Sequence, residues 1–69
     1  IDEVYSVEFD YPLMNEVMRV LKEENIDQRN PRFELSCYLE ISIRKKDADR
    51  VVDKLKRLYG VKVDYLKTV

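Results

Sequence analysis

The chain has 69 residues, 45% of them hydrophobic and 39% charged, with 13 Lys and Arg against 14 Asp and Glu. That length makes one small domain with no room for a second core, and the apolar content is too high and too periodic for disorder. Histidine is absent and there is one cysteine, which excludes Ser-His-Asp triads, imidazole acid–base chemistry and an internal disulfide.

A single glycine among so many charges leans towards a thermophilic composition. No apolar run approaches a membrane span, and no basic-then-apolar leader is present. The reading is therefore a cytoplasmic domain with a reduced cysteine. The chain opens at Ile1 rather than at a methionine, so residues 1–69 are read as one domain, cut from or lying within a longer protein.

In chain order, Val4 to Phe9 alternates, with Tyr5, Val7 and Phe9 on one face and Val4, Ser6 and Glu8 on the other. That is a strand. Asp10 is expected to cap the helix that follows, with Pro12 in its first turn. Leu13, Met14, Val17, Val20 and Leu21 then recur at helical spacing, opposite Glu16, Arg19, Lys22 and Glu23. This amphipathic helix should end near Glu24 or Asn25. Gln28 to Phe33 reads as a short edge strand, because Asn30-Pro31 interrupts it and a sheet admits proline mainly at an edge or bulge.

The clearest pattern is Leu35 to Arg44. Cys37, Leu39, Ile41 and Ile43 point one way; Ser36, Tyr38, Glu40, Ser42 and Arg44 point the other. A period of two over ten residues is a half-buried strand. Cys37 lies on its apolar side and reads as an inert core residue rather than a reactive thiol. Asp47 is the expected cap of a second helix with the stripe Ala48, Val51, Val52, Leu55, Leu58 and Tyr59, and Gly60 sits where a C-terminal glycine belongs. Val61 to Leu66 alternates as a last strand.

The element order βαββαβ predicts a ferredoxin-like α+β sandwich: a four-stranded antiparallel sheet of order 4-1-3-2 with two helices on one face. Such a fold hosts many functions, so residues must decide among them. Metal carriers need paired soft ligands, and no cofactor or metal is implied by one Cys and no His. Phosphate-cradling loops need clustered glycines, and the phosphate loop with a catalytic Arg that an acylphosphatase-type enzyme requires is not evident. An amino-acid-binding domain of the ACT kind usually carries a glycine after its first strand, where this chain reads Asp10-Tyr11-Pro12. No catalytic residues are assigned.

The open face of the sheet is a candidate contact surface around Tyr38, Glu8 and Glu40. RNA stacking there needs aromatics in a basic surround, and two carboxylates at its centre repel phosphate. Glu8 and Glu40 could share a proton or a hard metal; the plainer expectation is a mosaic with Lys62 and Arg44. Charge is also segregated along the chain. Residues 1–43 carry 4 Lys/Arg and 10 Asp/Glu, giving −6; residues 44–57 carry 7 and 3, giving +4; residues 58–69 carry 2 and 1, giving +1. Arg44, Lys45 and Lys46, with Arg50, Lys54 and Arg57 along one helical face, are the candidate nucleic-acid or partner-binding set. The plain alternative is a solvated face interleaved with Asp49 and Asp53.

Asp10-Tyr11 leading into a helix, Phe33 four residues before Cys37, the run Cys37-Tyr38-Leu39-Glu40-Ile41-Ser42-Ile43, and a helix closing in Leu58-Tyr59-Gly60 together resemble the C-terminal domain of the IMPACT/YigZ family. The likeness runs from about Tyr5 to Tyr65. Glu34 departs from it, standing where the family often has a glycine. The resemblance implies a ferredoxin-like domain similar to domain V of elongation factor G, preceded by an N-terminal S5-like domain. It also implies a non-enzymatic module that contacts RNA, the ribosome or its partner domain in translational control. The alternative reading is a structural domain that docks a neighbour, or a second copy as a homo-oligomer, through the sheet face. No membrane role is implied.

Overall fold

The computed structural model describes residues 1–69. Its elements are β1 (Asp2–Phe9), a 3-10 turn (Tyr11–Leu13), α1 (Met14–Glu23), β2 (Gln28–Phe33), β3 (Cys37–Arg44), α2 (Lys45–Lys56) and β4 (Lys62–Thr68). The four strands form one antiparallel sheet in the order β2-β3-β1-β4. This is the ferredoxin-like arrangement expected, with β3 and β1 inside.

One face of the sheet is dry. Val7 and Phe9 of β1 stand beside Leu39 and Cys37 of β3. They form a single buried cluster with Val17, Val20 and Leu21 of α1 and Val51, Val52 and Leu55 of α2. Leu39, Ile41 and Leu55 are completely enclosed. Full burial of side chains of this size contributes about 2 kcal/mol each. Cys37 belongs to this cluster as a free thiol, and burial pushes its pKa up, with Asp10 adding to the effect.

Helix ends are closed by the backbone rather than by the side chains expected. Asp10 has extended geometry, but its carboxylate makes no cap; its carbonyl instead accepts from the Leu13 N–H at 2.9 Å, and Tyr11–Leu13 coils as a 3-10 turn around Pro12. α2 begins at Lys45, directly from β3, so Asp47 falls inside the first turn, where its charge favours the helix dipole. At the end of α1, Asn25 adopts φ +56°, Ile26 N–H reaches Leu21 O at 2.9 Å and Asn25 N–H reaches Lys22 O at 3.2 Å. That pair of bonds is the Schellman closure, and Ile26 packs back on the core.

Two further expectations are revised. β3 starts at Cys37 because Glu34–Ser36 form the turn from β2, leaving Leu35 99% exposed at its tip. Tyr59 is 98% exposed and contributes nothing to the stripe of α2, since the helix has ended at Lys56 and the chain is already turning. That turn needs Gly60, at φ +93°: a Cβ there would stand 3.2 Å from Leu13 Cδ1. The last strand begins one residue later than Val61 and continues to Thr68.

The two edges differ. β2 is exposed throughout, and its pairing with β3 shifts between Arg29 and Arg32, where Asn30 takes φ +49° and Pro31 offers no N–H. Those are devices that blunt an edge. β4 contains neither proline nor glycine, and its pairing with β1 shifts between Val4 and Tyr5.

Candidate functional site

The face of the sheet away from the helices is ordered in rows. Arg32, Tyr38, Glu8 and Lys62 lie side by side across β2, β3, β1 and β4; Arg29, Glu40, Ser6 and Asp64 form the next row. Beyond it come Ser42, Val4 and Lys67. Ser6 and Val4 are buried even here, because the central strand is flanked on both sides.

Glu40 is the best-held group on this face. It accepts the Tyr38 hydroxyl at 2.7 Å and the Asn30 side-chain amide at 2.9 Å. Those bonds hold its carboxyl below the ordinary range and push the Tyr38 phenol up. The left-handed backbone at Asn30, with the shift in β2, accompanies this contact. The interruption at Asn30-Pro31, legible as a break in the sequence, thus carries a side chain that meets β3. The Arg32 guanidinium rests 5.5 Å from the centre of the Tyr38 ring, in cation–π range.

Beside this cluster lies an open groove of about 440 Å³ lined by Glu8, Arg32, Glu34, Leu35, Ser36 and Tyr38. Arg32, Glu8 and Glu34 belong to none of the ion pairs within 4 Å. The Tyr11 hydroxyl donates to the Glu34 carbonyl at 2.7 Å and braces the hairpin that forms one wall. Leu35 adds exposed apolar surface there. The groove can accept a segment with both charged and apolar groups. The sequence pattern puts Glu34 in a turn and Leu35 in a strand and gives no sign of a groove; their place beside Tyr38 depends on how the hairpin folds back.

Glu8 and Glu40 are not opposite each other. Glu8 faces Tyr38 and Glu40 faces Ser6, and no group of three or more carboxylate or thiol side chains converges as metal ligands would. The expected mosaic with Lys62 and Arg44 is replaced: Lys62 reaches Asp64 at 3.9 Å, and Arg44 lies in register with Asp2 without an ion pair.

The basic set divides in two. Arg50 Nη2 and Lys54 Nζ both bind the Glu24 carboxylate at the end of α1, at 2.8 and 2.9 Å, with Asp47 and Glu23 further out at 3.6 and 3.7 Å. Glu24 is only 12% exposed. Hydrogen bonds from Lys54 and Arg50 pull its carboxyl down, and the Glu24 bond raises Lys54. Arg44, Lys45, Lys46 and Arg57 are exposed and belong to no ion pair. Counting charges along α2 could not reveal this, because the neutralising residue comes from α1.

No protein-family model and no curated protein matches the chain. Among solved structures, it is similar to the ACT domain of a GTP pyrophosphokinase from Chlorobium tepidum, determined by NMR, with a TM-score of 0.65 and 17% identity over 100% of this chain and 89% of that one. The likeness is one of fold. No helix of the structure is long and apolar enough to cross a membrane.

Proposed function

We propose that the chain is a non-catalytic binding module of an IMPACT/YigZ-like cytoplasmic protein, and that it docks a neighbouring domain through the β2 side of its open sheet face. The observation that carries this reading is the uncovered groove at Tyr38, in which Arg32, Glu8 and Glu34 have no ion-pair partners. A rigid scaffold beneath, with Glu40 fixed by Tyr38 and Asn30, lowers the cost of ordering the surface on binding. The neighbour implied by the family resemblance is an S5-like domain on the N-terminal side. Its test is hydrogen exchange on this domain alone and within its parent chain. Protection at Arg32, Leu35 and Tyr38 only in the parent supports docking; equal exchange in both states removes it.

A second reading keeps the contact with RNA or the ribosome in translational control. It is favoured by the exposed, unpaired cations Arg44, Lys45, Lys46 and Arg57. Arg50 and Lys54 are weaker candidates, since releasing them for phosphate breaks their bonds to Glu24. Titration with RNA at several salt concentrations tests it. Absence of binding at low salt, or binding unchanged by Lys45→Glu with Lys46→Glu, excludes that role.

A further inference from the structure

Both edge strands carry a register shift, but β4 has neither the proline nor the left-handed residue that blunt β2. The outer backbone groups of β4 have no strand beside them, and no proline or bulky helix protects them. Exposed apolar side chains gather along it: Tyr65 and Leu66 on the strand, Val69 beyond, and Ile1 next to Val69 through the Asp2–Val69 backbone pair. An edge of this kind accepts another strand, and the sequence of β4 says which one.

We propose that β4 pairs antiparallel with β4 of a second copy, across a two-fold axis, in the register that sets Asp64 against Lys67 of the second copy. Two features select this register. The first is charge. Asp64 and Lys67 complement each other twice across the axis, while Lys62 meets Val69. Sliding the strands by two residues towards the start of β4 would set Lys62 against Lys67, a like-charge contact. The second is the bulge.

In a regular strand, residues 64 and 67 point to opposite faces. Here Asp64 lies opposite Ser6 and Lys67 opposite Val4, both on the open face, because the ladder shifts between them. Lys62 is also on that face, whereas Val63, Tyr65 and Thr68 lie opposite Val7, Tyr5 and Glu3 on the helix side. The proposed register therefore matches like faces: Asp64 meets Lys67 on one side, and Val63 meets Thr68 on the other. It engages the whole run from Lys62 to Val69 and joins two sheets into one of eight strands, with all four helices on one face. The long Lys62–Asp64 contact, 3.9 Å, leaves Asp64 available for the exchange.

Sedimentation velocity over a concentration series tests this on the purified protein, with circular dichroism melts confirming that each variant is folded. The expected result is a monomer–dimer equilibrium. Asp64→Lys and Lys67→Asp each weaken it about tenfold or more by placing like charges across the axis. The double exchange Asp64→Lys with Lys67→Asp restores it. Tyr38→Ala, on the same face but two strands away in β3, leaves it unchanged, which separates this interface from the docking groove. A monomer at every concentration up to about 1 mM, single variants that dimerise like the parent, or a double variant no better than the singles overturns the proposal.

Discussion

The two faces of the sheet are made from the same strands by opposite means. Towards the helices, Val7, Leu39 and Ile41 are enclosed by α1 and α2, and the face is held by area removed from water. On the other side, Tyr38, Glu40 and Asn30 are held by two hydrogen bonds with a cation over the ring. The covered face supplies stability without directional chemistry. The open face has directional chemistry and little burial, so it is where a partner can be recognised at small cost to the fold.

The sharpest way to break that contrast is to truncate neighbours on one strand. Leu39→Ala should cost about 3 kcal/mol, from lost transfer energy and the cavity left behind. That is a large part of the roughly 3 to 10 kcal/mol a domain of this size possesses. Tyr38→Ala, one residue away on the open face, should cost about 1 kcal/mol. Urea titrations of both variants measure the difference; equal losses would mean that the open face is not solvated as described.

Gly60→Ala comes next. The residue would have to hold φ +93° and push aside Leu13 Cδ1, with an expected loss of about 1 to 2 kcal/mol. Because Leu13 packs on the helix side, the loss should appear in the melting temperature without altering any contact made by the open face. An unchanged melting temperature would show that the α2–β4 turn relaxes freely.

The tie between the helices should have a smaller effect with a pH signature. Glu24 has a lowered pKa in the folded chain, so its contribution is present above the unfolded carboxylate pKa and is lost as pH falls through the folded value. Lys54 has a raised pKa, so its share is present below the unfolded lysine pKa and is lost as pH rises through the folded value. Glu24→Gln should therefore be less stable than the parent near neutrality, and the two should converge in acid. High salt should narrow the gap. Parallel acid limbs for the two proteins would show that Glu24 is bound too weakly to matter.

The smallest effect is local to the open face. Tyr38→Phe and Asn30→Ala each remove one donor to Glu40, and its carboxyl should titrate closer to the ordinary glutamate range in both. Carbon-13 titration of the Glu40 side chain reads this directly. A Glu40 titration that ignores both changes would detach it from the cluster. With Tyr38→Phe the aromatic ring and its contact with Arg32 remain, so stability should hardly move.

Much of the architecture is legible in the sequence alone. The strict alternation of Cys37 to Ile43 and the helical spacing of Val17, Val20 and Leu21 assign β3 and α1 to one buried face, because periods of two and 3.6 are local properties of the chain. Even the β2 edge was visible, in Asn30-Pro31. Ends of elements were less legible. Asp10 and Asp47 have the chemistry of caps, but backbone bonds close the first turn and β3 runs straight into α2.

What the sequence determined by itself, then, was the ferredoxin-like order of elements and most of the core, Tyr59 excepted, since these follow from hydrophobic period and turn chemistry along the chain. The tertiary structure alone decided which charges are free. Glu24 comes from the end of α1 to meet Arg50 and Lys54 on α2, and Asn30 comes from β2 to meet Glu40 on β3. The bulge in β4 brings Asp64 and Lys67 to the same face. Each of these depends on a few ångströms between segments distant in sequence or on a one-residue shift in register, and the hydrophobic pattern constrains neither.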